Sequence, residues 1–103
     1  MGKVTTVAKA SDVPLGKSIC VEVEGKRIAL FNVGGKFYAI DDECTHAGGN
    51  LSEGDLDGTV VTCPWHGATF DIADGKALSA PAFEGVTSYR VQVSGGDIQI
   101  EAP

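Results

Sequence analysis

Two short stretches of this sequence each carry one cysteine and one histidine. Cys44-Thr45-His46 is followed, after sixteen residues, by Cys63-Pro64-Trp65-His66, and the two stretches contain both histidines of the chain. Thiolates and imidazoles bind zinc, and they also bind the iron of iron–sulfur clusters. The sequence therefore predicts a metal centre whose ligands are Cys44, His46, Cys63 and His66.

Two kinds of metal centre fit this ligand set. In a mixed [2Fe-2S] cluster two cysteines hold one iron and two histidines hold the other, so each loop supplies one ligand of each kind. Tetrahedral zinc is the alternative, and the chain would then be a zinc-stabilised binding module. Zinc loops usually separate their ligands by two to four residues, whereas a single residue separates Cys44 from His46. The spacing favours one [2Fe-2S] cluster per chain.

On these residues the chain resembles the Rieske-type ferredoxins of bacterial aromatic-ring dioxygenase systems, such as those for biphenyl, toluene and carbazole. The family pattern is Cys-x-His, then a spacer, then Cys-Pro-x-His-Gly, and it is completed here by Pro64 and Gly67. A third segment, Ser79-Ala80-Pro81, resembles the proline-containing loop that shields the cluster in this family. The resemblance implies a fold with a loop-rich cluster-binding subdomain.

The resemblance also implies a role and partners. We expect a soluble one-electron carrier, not an enzyme, that passes electrons from an NAD(P)H-dependent flavin reductase to a terminal oxygenase. The alternative is an electron-transfer subunit of another complex, namely a multicomponent monooxygenase or the small subunit of a nitrite reductase. With both histidines committed to the cluster, the chain cannot also build a mononuclear iron site with two histidines and a carboxylate.

Four positions distinguish this chain from the respiratory members of the family. Gly49 and Trp65 replace the two cysteines that form a bracing disulfide there, and Ala68 and Phe70 replace a serine and a tyrosine that donate hydrogen bonds to sulfur. Such hydrogen bonds raise the reduction potential. We therefore expect a potential at the low end of the Rieske range. Trp65 is interpreted as a hydrophobic lid over the cluster, with a docking contact as the alternative.

The remaining sequence predicts an all-β domain. Runs of β-branched and aromatic residues are separated by turns that contain glycine, as at Gly34-Gly35 and Gly95-Gly96. We expect one domain over 1–103, an antiparallel barrel or sandwich interrupted by a cluster-binding subdomain over about 41–82. A strand begins near Val4, and the other predicted strands cover 18–24, 27–33, 36–40, 59–62, 68–72, 88–93 and 97–100.

Charge and hydropathy limit the partners. The net charge is −6, and between residues 41 and 74 there are eight acidic residues and no lysine or arginine. Such a field attracts basic protein surfaces and repels nucleic acid. No apolar run approaches the length of a membrane span and the first residues form no hydrophobic signal core, so we expect a cytoplasmic monomer. The third cysteine, Cys20, lies in a strand-like run and is predicted to be buried, with redox sensing as the alternative.

Overall fold

A computed structural model of the chain describes residues 3–23, 25–42, 50–64, 68–78 and 85–102. In these ranges it has nine β-strands and two short 3-10 helices, at Ala10–Asp12 and Leu51–Glu53. The strands are β1 (Lys3–Lys9), β2 (Ser18–Val23), β3 (Lys26–Val33), β4 (Lys36–Asp41), β5 (Asp55–Asp57), β6 (Val60–Thr62), β7 (Thr69–Asp71), β8 (Ser88–Ser94) and β9 (Asp97–Ala102). All the predicted strands are confirmed. The short β5 was not predicted, because aspartates, which are depleted in strands, flank its single leucine.

The larger sheet is an open barrel. Its six strands are hydrogen-bonded in the order β1-β9-β8-β4-β3-β2. Every strand pair in it is antiparallel. The two end strands, β1 and β2, contact each other, so the sheet is nearly closed. A shift in register between Thr6 and Ala8 interrupts the pairing of β1 with β9. Such irregularities bend a strand and help a sheet to curve. The prediction of an antiparallel, barrel-like all-β fold is confirmed.

Strand β3 of this barrel is buried on both faces. In β3, Ile28 and Leu30 pack inside the barrel, whereas Ala29 and Phe31 pack on its outer face against residues of the second sheet. Successive side chains of a strand point to opposite faces, so both faces of β3 are covered. This explains why residues 28–31 read as an uninterrupted apolar run instead of an alternating one.

The second sheet has three short strands in the order β5-β6-β7 and covers the outer face of β3 and β4. Val61 of β6 and Phe70 of β7 are fully buried in the core that it shares with the barrel. Ile40 of β4 and Leu51 of the second 3-10 helix are buried in the same core. The barrel is therefore the platform on which the small sheet, and the two loops that carry the predicted ligands, are placed.

Candidate metal centre

The second predicted ligand loop is the connection between β6 and β7. Thr62 pairs with Thr69 across this hairpin, and the amide of Cys63 donates to the carbonyl of Ala68 at 2.7 Å. Cys63 is only 2% exposed and packs in the same core as Leu51. The ladder of the small sheet therefore fixes where Cys63 leaves β6. His66 and Trp65 lie outside the described residues, and the question of a lid or a docking contact stays open.

The first predicted ligand loop starts at Asp42 and returns at Asn50. The carbonyl of Asp42 accepts the amide of Leu51 at 2.6 Å, and its carboxylate Oδ1 accepts the amide of Ser52 at 2.8 Å. The amide of Asp42 in turn donates to the carbonyl of Arg27 in β3 at 3.0 Å. These bonds close the base of the loop and tie it to the barrel. Cys44 and His46 lie between these ends and outside the described residues.

The bases of the two loops lie in one part of the molecule. Leu51, which is bonded to the base of the first loop, is fully buried in the core that contains Cys63. A buried cysteine at the end of a hairpin, beside the closed base of a second loop, suits a centre that takes one cysteine and one histidine from each loop. Of the four predicted ligands, the structure places Cys63, and the complete ligand set stays a prediction.

The positions after the second ligand pair are lined by hydrocarbon. Ala68 and Phe70 are both fully buried, and both belong to the core that contains Cys63. Neither side chain carries a hydroxyl that could donate to a sulfur atom. The expectation of a low potential rests on these two residues and remains a prediction.

Glycines bring backbone segments of the small subdomain unusually close together. A Cβ atom at Gly54 would lie 2.1 Å from the carbonyl oxygen of Thr62, in the peptide bond that leads to Cys63. Gly75 has a φ of 79°, and a Cβ there would lie 2.0 Å from the carbonyl oxygen of Val86. The amide of Val86 donates to the carbonyl of Gly75 at 2.7 Å, which closes the base of a third loop. The segment Ser79-Ala80-Pro81 of that loop lies outside the described residues.

Cys20 is exposed, so the prediction that it is buried was wrong. In β2 the side chains of Ser18, Cys20 and Glu22 share the outer face, and the second 3-10 helix covers only its beginning, where the Ser18 hydroxyl donates to the carbonyl of Ser52. Partial burial raises the pKa of the Cys20 thiol, the Arg27 guanidinium lowers it, and the Asp42 carboxylate raises it. A raised pKa leaves less reactive thiolate, which argues against a redox-sensing cysteine.

Asp42 is the residue whose environment the sequence analysis missed. The sequence places it among eight acids that predict a surface field, but its side chain is 1% exposed, and Oδ2 lies 3.6 Å from Nη2 of Arg27. The sequence does contain a signal for this burial. Asp42 continues the period of two from Ile40, which is fully buried on the face of β4 that meets the small subdomain.

Other acids of this segment are on the surface. Asp55 and Asp57 are exposed on either side of half-buried Leu56 in β5, and Glu53 is exposed just before them. Alternation along a strand places Asp55 and Asp57 on the same face. The small sheet therefore presents a negatively charged outer surface.

Comparison with known proteins identifies the class. The model of the Rieske [2Fe-2S] domain matches residues 3–90. The 3-phenylpropionate/cinnamic acid dioxygenase ferredoxin subunit of Escherichia coli (strain K12) is 49% identical over 94 residues, which cover 90% of this chain and 88% of that protein. The chain therefore belongs to the Rieske [2Fe-2S] family, and it holds one [2Fe-2S] cluster.

Two solved structures give the particular kind of Rieske protein. The Sphingomonas yanoikuyae B1 ferredoxin superimposes with a TM-score of 0.91 at 32% identity, covering 98% of this chain and 100% of that one. A chain from the complex of reduced oxygenase and oxidized ferredoxin in carbazole 1,9a-dioxygenase gives 0.89 at 36% identity, covering 95% and 92%. This chain is an electron-transfer component of the ferredoxin type and not a catalytic enzyme. No helix among the described residues is long and apolar enough to cross a membrane.

Proposed function

We propose that this chain carries single electrons from a flavin-dependent NAD(P)H reductase to the terminal oxygenase of an aromatic-ring dioxygenase system. The observation that carries the proposal is the 49% identity, over 90% of the chain, to a dioxygenase ferredoxin subunit. The carbazole complex, in which a ferredoxin is bound to its oxygenase, supports the terminal oxygenase as the receiving partner. That the electron donor is a flavin-dependent reductase is a further and more specific part of the proposal.

The ligand set that we propose has Cys44 and Cys63 on one iron and His46 and His66 on the other. The buried Cys63 at the end of β6 and the closed loop base at Asp42 suit this set. When bound, the cluster supplies a site that accepts and releases one electron. The protein contributes the fixed ends of both loops, and the buried apolar side chains of Ala68 and Phe70, in the same core as Cys63, would limit the access of water to a bound cluster.

The proposed organisation is a single domain over 1–103 with a cluster-binding subdomain over about 41–82. The three strands of the small sheet all fall within those limits, and the six strands of the barrel lie almost wholly outside them. The subdomain shares a core with β3 and β4, so it is a part of the domain that packs on the barrel. A cytoplasmic monomer that does not bind nucleic acid completes the proposal and accords with the net charge of −6.

The docking surface that we propose is the acidic outer face of the small subdomain. Glu53, Asp55 and Asp57 are exposed there, next to the strands that carry the second ligand loop. Basic patches on a reductase and on an oxygenase would be attracted to this face, which would bring the cluster end of the molecule toward them.

Reconstitution tests the cluster and its ligands. The purified chain, loaded anaerobically with iron and sulfide, should be red-brown with about two iron and two labile sulfide per chain. Its EPR spectrum after reduction should have a lower average g value than that of an all-cysteine cluster. His66→Ala should lose the normal cluster, and Cys20→Ser, which changes the third and exposed cysteine, should keep it. A colourless protein with one zinc would overturn the ligand assignment.

A turnover assay tests the electron-carrier role. The loaded chain is combined with NADH, a flavin-dependent ferredoxin reductase and the terminal oxygenase of a 3-phenylpropionate dioxygenase. We expect oxygen consumption and hydroxylated product only when all three proteins are present. A chain that forms the cluster but copurifies with a large enzyme, and transfers no electrons to any dioxygenase, would favour the role of a subunit in another complex.

A further inference from the structure

Asp42 is a buried carboxylate in a part of the molecule where most acids are exposed. Its side chain is 1% exposed, and Oδ1 accepts one hydrogen bond, from the amide of Ser52 at 2.8 Å. Oδ2 is buried and accepts no hydrogen bond from the residues that the structure describes. Burying a charged group is unfavourable unless it is paired, and a neutral amide oxygen could also accept the Ser52 hydrogen bond, so that bond alone does not account for a carboxylate at this position.

The cation that faces Asp42 neutralises it only in part. Nη2 of Arg27 is 3.6 Å from Oδ2, which is longer than a hydrogen-bonded ion pair, and the Arg27 side chain is 57% exposed. Water around an exposed guanidinium screens its charge, whereas the buried carboxylate is screened less. The Cys20 thiol also lies near both groups. Among the described residues, no cation is close enough to offset the charge of the Asp42 carboxylate in full.

This charge lies close to the cluster. Asp42 precedes the proposed ligand Cys44 by two residues, so their Cα atoms are at most about 7 Å apart. Leu51, whose amide donates to the carbonyl of Asp42, packs in the core that contains Cys63. Asp42 is thus adjacent in sequence to the first predicted ligand loop. Through Leu51 it is also connected to the core that contains Cys63 of the second loop.

We propose that the Asp42–Arg27 pair sets the reduction potential of the cluster, with Asp42 lowering the potential and Arg27 partly opposing it. The inference rests on the proposed function and ligand set. With two ferric ions, two sulfides, two thiolates and two neutral imidazoles, the oxidised cluster has no net charge, and the electron supplied by the reductase makes it an anion. A buried carboxylate nearby destabilises that anion. A nearby guanidinium stabilises it.

The size of the effect follows from Coulomb's law. For a separation of about 10 Å and an effective dielectric constant of about 20, one charge changes the equilibrium between oxidised and reduced forms by about tenfold. For transfer of one electron, a tenfold change is about 59 mV. The effect of Arg27 should be smaller, about threefold, because its head group is exposed and screened.

Two substitutions test the pair in opposite directions. Asp42→Asn has the same shape, keeps an oxygen to accept the Ser52 amide, and removes the charge; it should raise the midpoint potential by about 59 mV, or tenfold. Arg27→Gln should shift the equilibrium about threefold toward the oxidised cluster, which lowers the midpoint potential by about 28 mV. Arg27→Lys keeps the positive charge and should therefore have nearly the same potential as the unaltered protein. Asp74→Asn removes an exposed carboxylate from the same acidic segment and should leave the potential nearly unchanged.

Protein-film voltammetry at one pH and salt concentration gives these potentials, and EPR of each reduced variant shows whether the cluster is intact. Opposite shifts for Asp42→Asn and Arg27→Gln support the inference. A structural disturbance alone has no reason to shift the potential in opposite directions for the two variants. Unchanged potentials, or shifts of the same sign, therefore overturn the inference. If Asp42→Asn does not retain the cluster, the direction in Arg27→Gln decides, and no downward shift there overturns the inference.

The same measurements separate this inference from the proposed function. A protein without the Rieske EPR signal would refute the ligand set, and the inference would fail with it. A normal EPR signal and normal electron transfer to the oxygenase, with potentials insensitive to both charges, would refute the inference alone.

Discussion

Gly54 holds two backbone segments together next to the buried Cys63, a proposed ligand, and Gly54→Ala should separate them. A Cβ atom there would be 2.1 Å from the carbonyl oxygen of Thr62 and 3.2 Å from that of Leu51. Ordinary contact begins at 3.4 Å, so the Thr62 carbonyl would have to move by more than an ångström. Because Gly54 has a φ of −79°, which any residue adopts, the predicted effect is purely steric.

The magnitude follows from the contacts that must break. Asp55, the next residue, pairs with Thr62, so moving the carbonyl disrupts the end of the β5–β6 ladder. Loss of about two backbone hydrogen bonds costs about 2 kcal/mol. Partial exposure of Leu56, which packs against the shared core, adds about 1 kcal/mol. We expect the free energy of unfolding to fall by about 3 kcal/mol, which is a large part of the stability of a small domain.

Gly58→Ala is the matched control. Gly58 directly follows the same strand, β5, but it has a φ of 61° and a Cβ atom added there would meet no atom within 4 Å. An alanine there suffers only the strain of the left-handed conformation, about 1 kcal/mol. The two variants thus separate crowding from backbone strain within one hairpin.

Thermal unfolding followed by far-ultraviolet circular dichroism measures the stability of both variants. The melting temperature should fall on the order of 15 °C for Gly54→Ala and about 5 °C for Gly58→Ala. Visible absorbance reports the cluster, and Gly54→Ala should lose it at a lower temperature, since the displaced peptide bond leads to Cys63. Equal stability of the two variants would refute the close approach of Gly54 to Thr62.

Three further predictions follow from the described residues. The midpoint potential measured by voltammetry should lie near the low end of the Rieske range, about −150 mV. Ala68→Ser and Phe70→Tyr add hydroxyls and should raise the potential. If the potential does not rise although hydrogen bonds to sulfur are confirmed, the missing hydroxyls do not explain the low potential. Electron transfer from the reductase in stopped-flow measurements should slow as salt rises, since charges more than about 8 Å apart are screened at physiological ionic strength. Neutralising Glu53, Asp55 and Asp57 should also slow this electron transfer, whereas neutralising the exposed residues Asp12 and Glu22 should not. If the rates change neither with salt nor in the neutralised variant, the acidic face only keeps the protein solvated and is not a docking surface. The Tyr89 hydroxyl donates to the Asp41 carboxylate at 2.5 Å. Burial of the hydroxyl, and to a lesser degree the Asp41 carboxylate, raise the pKa of Tyr89 above its ordinary value of about 10. The contribution of this contact to stability is therefore complete below pH about 10 and is lost as the pH rises further. Tyr89→Phe should flatten that alkaline loss in urea unfolding, and an identical loss in both proteins would contradict the assignment.

Local chemistry made much of this protein readable from its sequence. The two Cys-and-His stretches point to the cluster because ligand type and spacing are set within a few residues. The hairpins at Gly34-Gly35 and Gly95-Gly96 were predicted because a turn needs residues that adopt a positive φ, and all four glycines have one. The alternation of strands such as β8 likewise depends on neighbours in the chain.

Contacts between distant segments decided the rest. Cys20 and Asp42 were assigned the wrong environments, since burial depends on which surface packs against each strand. The small subdomain covers Ile40 and the base of the first loop but stops short of Cys20. The close approach of Gly54 to Thr62 depends on the register of β5 with β6, and the pairing of Asp42 with Arg27 joins strand β3 to the residue that directly follows β4. The sequence by itself predicted the ligand loops and determined the turns, because both depend on residues that are neighbours in the chain. The tertiary structure decided the electrostatic surroundings, because the burial and pairing of a charge depend on which distant segments the fold packs against it.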